Sequence, residues 1–155
     1  SPAFAGRVPG SRLNPYASGA GGLYSTAADL ARFAQALANG GELDGVRLLG
    51  RHTVAQFASN QLGLLGDGRT EFRPGEGFGL GAAVVVDAGR LPRLGSVGAW
   101  GWSGAASTWL TVDPRERLVA ILLAQHLPQG GPRDPRRLAV PFYNLVYSSL
   151  VDAAP

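Results

Sequence analysis

The 155-residue sequence has no cysteine, no methionine and no lysine, and its only histidines are His52 and His126. Without cysteine there is no disulfide framework and no thiolate metal site, and the redox compartment cannot be read. Two histidines are too few for a typical zinc site, so no metal is expected. The longest apolar run, Leu118 to Ala124, falls far short of the roughly 20 residues a membrane helix needs, which argues against a membrane partner. No basic-then-apolar leader opens the sequence, so no signal peptide is expected and the compartment stays open. A chain that starts at Ser1 and has no methionine is expected to be a processed, cleaved or excised piece.

All 14 basic residues are arginine, against 11 acidic ones, giving a net charge of +3. The one dense cluster, Arg133, Arg136 and Arg137, is interrupted by Asp134. Mixed signs of this kind read as solvated surface, with no nucleic-acid partner. A hydrophobic content of 45% with 16% charge fits a globular chain of one domain's length. The 23 glycines and 11 prolines imply many turns.

Residues 1–22 are rich in Pro, Gly and Ser without periodicity and read as an extended arm or loop. Residues 23–76 read as a helical segment. Thr26 followed by Asp29 fits a capping box, and Leu30, Phe33, Ala34 and Leu37 then recur at helical spacing until Asn39-Gly40-Gly41 stops the helix. Asp44-Gly45 marks a tight turn, and a shorter helix follows from about Arg51 to Asn60 with Val54, Phe57 and Ala58 inward. Residues 63–76 have the Gly-rich, charged character of a loop.

From 77 to 155 the pattern predicts antiparallel strands and a closing helix. The strands are Phe78 to Val86, Ser96 to Ala105, Ser107 to Val112 and Arg117 to Gln125. Asp87-Ala88-Gly89, a tight turn near Ala106 and Asp113-Pro114-Arg115 connect them. The apolar run 118–124 does not alternate, so both its faces should be covered and the strand should be central in its sheet. Asp134-Pro135 opens a final helix with Leu138, Phe142, Leu145 and Val146 on one stripe; Pro141 either kinks it or marks its true start. The result is an α+β fold, an antiparallel sheet flanked by helices. With so few strands, an exposed edge and face are expected, to be covered by a missing N-terminal segment or another chain.

Four stretches in this order carry a resemblance over about residues 20 to 126: Gly21-Gly22-Leu23-Tyr24-Ser25-Thr26-Ala27-Ala28-Asp29-Leu30-Ala31-Arg32-Phe33, Leu37-Ala38-Asn39-Gly40-Gly41-Glu42-Leu43-Asp44-Gly45-Val46-Arg47-Leu48-Leu49, Gly77-Phe78-Gly79-Leu80-Gly81, and Gly101-Trp102-Ser103-Gly104 followed by Val112-Asp113-Pro114. They resemble the C-terminal part of the β-lactamase-like serine hydrolases, near class C β-lactamases and the related bacterial esterases and transesterases. The resemblance implies the C-terminal part of a β-lactamase/transpeptidase-like fold and an acyl-enzyme mechanism without cofactor. It places residues 102–104 at the third signature segment, where Lys-Thr-Gly or a variant lines the site. Trp102 then stands for the lysine, Ser103 for the threonine and Gly104 for the glycine, and the backbone N–H of Ala105 becomes one of two oxyanion donors. Trp100 and Trp102 are assigned to the site wall, and Trp109, in mid-strand, to the core.

A lysine-free chain cannot contain the family's Ser-x-x-Lys, so the nucleophile and base are expected on an N-terminal segment or second chain of the same enzyme. Trp102 cannot bind a carboxylate as lysine would, but offers a flat apolar wall and one N–H donor. This favours an esterase or acyl transferase acting on a small neutral acyl substrate over a β-lactamase or D-amino peptidase. A catalytically silent binding or sensor module is the alternative. Other candidates give way to simpler readings. Tyr16-Ala17-Ser18 lacks a following helix, His52 and His126 have no Gly-x-Ser-x-Gly to serve, and Gly77-x-Gly79-x-Gly81 lacks dinucleotide-site spacing.

Overall fold

In a computed structural model, residues 23–66, 68–127 and 138–151 are described. The expected arm at 1–22, the arginine cluster and the Asp134-Pro135 helix start lie outside them.

Helix α1 spans Ala27–Ala38. The Thr26 Oγ1 accepts the Asp29 N–H at 3.1 Å and its hydroxyl donates to the Asp29 carboxylate at 2.8 Å, satisfying one amide that a helix start otherwise leaves unpaired. Gly40 and Gly41 follow at φ 74° and 96°, conformations that close a helix and that residues with a Cβ rarely take. Strands β1 (Glu42–Leu43) and β2 (Val46–Arg47) form a hairpin about Asp44-Gly45. Helix α2 runs Arg51–Phe57, three residues shorter than the expected end at Asn60, with Val54 buried and Phe57 and Ala58 packed against the core as the pattern predicts. The expected stripe on α1 is corrected in part: Ala34, Ala36 and Leu37 are buried, Leu30 is half-buried, and Phe33 is exposed.

Strands β3 (Glu76–Phe78), β4 (Ala83–Val85), β5 (Trp100–Ser103), β6 (Trp109–Asp113) and β7 (Leu118–Leu122) form one antiparallel sheet in sequential order. The single strand expected over 78–86 is two strands, because the chain reverses between Phe78 and Ala83, where Gly79 donates to the Ala82 carbonyl. The expectation that the apolar run 118–124 is central is also corrected: β7 is the last strand in the sheet among the described residues. Its continuous apolar character has another cause. Val119 packs toward α1 and α2, whereas Leu118 and Ala120 pack toward the C-terminal helix, so both faces are covered without a second neighbouring strand.

Helix α3, Ala139–Ser148, closes the other face. Pro141 sits in its first turn, where a missing N–H costs nothing, so the proline marks the start and does not kink the helix. Its inward residues are Ala139 and Tyr143, with Phe142 and Val146 beside them; Leu138 is 40% and Leu145 71% exposed, against the expected stripe. Hydroxyl chemistry sets this rotation. Thr111 donates to the Tyr143 hydroxyl at 2.6 Å, and the Tyr147 hydroxyl donates to Asp113 at 2.6 Å. Asp113, with no exposed surface, also accepts the N–H groups of Arg115 and Glu116 at 3.0 and 3.1 Å.

Replacing Asp113 by Ala strands the Tyr147 hydroxyl and two turn amides, a loss of about 2–4 kcal/mol of stability measurable by urea unfolding. Burial first, then the adjacent Asp113, raises the Tyr147 pKa above its ordinary value of 10.0. Above that pH the unfolded chain releases a proton that the folded chain keeps, so stability falls as pH rises beyond about 10. Tyr147→Phe should flatten that alkaline slope in pH-dependent unfolding.

Candidate active site

Strand β5 pairs with β4 through Trp100 and Gly101 and with β6 along its whole length, Trp100 opposite Val112 and Ser103 opposite Trp109. Trp100 is buried against α2, its ring edge-on to Phe57 at 5.3 Å. Gly101 is held so close to the Leu110 carbonyl that a Cβ would collide with it, which explains why β5 interrupts its bulky residues there.

Trp102 is 42% exposed and stands at the mouth of an aromatic group. Its ring meets Phe78 edge-on at 4.9 Å and tilts against Phe72 at 5.7 Å, and Phe72 in turn lies 5.2 Å from Phe78. The Arg73 guanidinium lies 5.5 Å from the Trp102 ring centre. Asn60 holds this group in place: its amide donates to the Thr70 carbonyl at 2.8 Å, and its oxygen accepts the N–H groups of Leu62 and Phe78.

Ser103 is half-buried, and Gly104 and Ala105 are exposed in the turn between β5 and β6. That turn is tied at both ends. Gly104 donates to the Thr108 carbonyl at 2.8 Å and Ser107 to the Gly104 carbonyl at 3.1 Å. Ser107, at φ 62°, sends its hydroxyl to the His126 carbonyl at 2.9 Å, and the His126 amide reaches Ala106. Among the described residues no backbone acceptor takes the Ala105 N–H.

The structure thus brings Trp100, Trp102, Ser103, Gly104 and Ala105 onto one strand end, with Trp100 turned into the core and Trp102 outward. Trp109 lies on the α3 side, 6.3 Å from Tyr143, in the core as expected. Phe72, Arg73 and Phe78, which complete the wall around Trp102, were not singled out by sequence. Phe72 and Arg73 fall in the stretch read as a charged loop, and only the closeness of Phe72 and Phe78 in sequence hinted at them. The cavity beneath, lined by Arg73, Glu76, Arg93, Trp102, Ser103 and Tyr143 among others, has about 20 Å³ of free volume, room for a water and not for a substrate. No group of metal-ligating side chains occurs among the described residues.

The family model described as Beta-lactamase matches residues 2–141. The chain belongs to the β-lactamase family. Protein Rv1367c of Mycobacterium tuberculosis is 36% identical over 123 residues, a match covering 73% of this chain and 30% of that protein. A protein named putative D-alanyl-D-alanine carboxypeptidase from Salmonella typhi is 30% identical over 122 residues, covering 75% and 26%. Among solved structures, EstCE1, described as a hydrolase with promiscuous acyltransferase activity, superposes with a TM-score of 0.60 at 23% identity, covering 78% of this chain and 29% of that one. The last likeness is one of fold. This β-lactamase-family chain spans under a third of the length of each of these proteins.

The Trp102–Phe78 contact should show as a coupling of about 0.5–1.5 kcal/mol in a double-mutant cycle of Trp102→Ala and Phe78→Ala followed by urea unfolding.

Proposed function

We propose that this chain supplies one wall of an acyl-enzyme serine hydrolase, an esterase or acyl transferase, whose serine and lysine lie on a segment or chain outside this sequence. The observation that carries this reading is the end of β5: an outward Trp102 followed by an exposed turn whose Ala105 N–H has no backbone acceptor among the described residues. A serine attacking an acyl carbonyl places negative charge on the carbonyl oxygen. An amide already fixed in a tied turn can receive that charge without reorganising. Collapse of the intermediate expels the alcohol and leaves an acyl-serine, which water or a second alcohol then resolves. Trp102 offers the acyl chain an apolar surface. The absence of lysine from the sequence requires that the base come from elsewhere.

The surface left open suits such a partner. Leu23, Tyr24, Phe33, Val46 and Leu48 are between 49% and 98% exposed, and the outer edge of β7 has no neighbouring strand among the described residues. The hydrolase and acyltransferase named for the fold neighbour support the esterase reading. The carboxypeptidase name of a relative supports a second reading, a peptidase of the same mechanism. Trp102 in place of a lysine weighs against it. A silent binding module is the remaining alternative.

A fluorophosphonate probe should leave this chain alone unlabelled and label the serine of a Ser-x-x-Lys segment combined with it. In the combined enzyme, Ala105→Pro removes the donor and should lower kcat on short acyl esters by about 10²–10³. Labelling of the chain by itself would contradict the proposal, and a combined preparation without labelling would favour the binding module.

A further inference from the structure

Glu76 is a charged side chain in a part-buried place, and its contacts lead to Trp102. Its carboxylate takes the Arg93 guanidinium at 2.9 Å, both side chains only 12% exposed. Arg93 is itself fixed against α3. It lies 4.5 Å from the centre of the Tyr143 ring, and the next residue, Leu94, donates its N–H to the Asn144 side chain at 2.8 Å. A carboxylate so withdrawn from water is costly without a partner, and Arg93 supplies one.

The other carboxylate oxygen faces the Arg73 Nε at 3.7 Å. That separation is too long for a hydrogen bond but close enough for attraction between the charges. Arg73 has few other restraints. Its side chain is 42% exposed, and its guanidinium lies 4.8 Å from the centre of the Phe72 ring and 5.5 Å from that of Trp102. An exposed arginine has much rotamer freedom to lose, so a fixed negative charge nearby selects the rotamer that caps the two rings.

The main chain of Glu76 is engaged separately. Its carbonyl accepts the N–H groups of Phe72 and Arg73 at 2.6 and 3.1 Å, and its own N–H donates to the Arg73 carbonyl at 2.9 Å. Substituting the side chain therefore leaves these three bonds available and removes the charge.

We propose that Glu76 is a positioning residue for the Trp102 wall: held by Arg93, it fixes Arg73 over the indole and so keeps a half-exposed Trp102 ordered. The proposal rests on the hydrolase reading only in giving the ordered wall a substrate.

The test follows the order of the indole N–H groups of Trp100, Trp102 and Trp109 by heteronuclear NMR relaxation, each signal assigned from the variant carrying Phe in its place. In the unaltered chain Trp102 should be nearly as ordered as the buried Trp100. Glu76→Gln and Arg73→Gln should each lower the order of Trp102 and leave Trp100 unchanged, and the double variant should lower it no further than either alone. Arg73→Lys, which keeps a cation for the carboxylate and the rings, should restore part of the order. Arg73 lies at the surface, so Arg73→Gln decides the matter even where Glu76→Gln, which leaves Arg93 without its partner, fails to fold. Unchanged Trp102 order in Arg73→Gln overturns the proposal, as does an equal loss at Trp100, or losses from the two substitutions that simply add. In the combined enzyme, Glu76→Gln should raise KM for short acyl esters severalfold at unchanged kcat, because a wall acts alike on substrate and transition state. A fall in kcat at unchanged KM would overturn the positioning role. Failure of fluorophosphonate labelling there would remove the hydrolase reading and leave the relaxation result standing.

Discussion

One fully buried carboxylate, Asp113, fixes how the two halves of the β-sheet region meet. It closes the turn from β6 to β7 through two backbone amides and holds α3 to the sheet through Tyr147. A buried charge is tolerated only when its lone pairs are occupied, and here three donors occupy them. With β6 set in register by that turn, β5 can pair along it, and the Trp102-to-Ala105 end is placed relative to α1 and α2. Thr111 and Tyr143, two residues and one helical turn away, repeat the same sheet-to-helix bond.

The wall at β5 combines rigidity with exposure. Gly101 permits β5 to lie against Leu110, Trp100 anchors one end of the strand in the core, and the other end projects Trp102 to the surface. The same stretch therefore has a packing role at one residue and an open face two residues later. A pocket does not follow from this alone, since the free volume beneath Trp102 is no larger than a water.

Much of the fold was legible because its signals are local. Thr26 with Asp29, Gly40-Gly41, Asp44-Gly45 and Pro114 each dictate a backbone conformation in a few residues, and the structure places a cap, a stop and turns at them. The end of a strand at Trp102-Ser103-Gly104 was equally legible, since β5 stops at Ser103 and a turn follows. What sequence could not give was set by contacts distant along the chain. The reversal between Phe78 and Ala83 falls at Gly79-Leu80-Gly81, glycines that fit a strand entry as well as a turn. The apolar run at 118–124 suggested a central strand, whereas helices on both faces produce the same pattern at an edge. The inward face of α3 follows Tyr143, a residue whose burial depends on a hydroxyl partner 32 positions away.

The sequential order of the sheet also bears on how the chain comes together. Every strand of the five-stranded sheet pairs with its neighbour in sequence, so the sheet needs no crossover, although the connection from β4 to β5 is long. The packing of α1 on β7 is different, since it joins residues 27–38 to residues 118–122. The closing contact is thus one between the first helix and the last strand of the described fold, and a change at β7 is felt at the first helix.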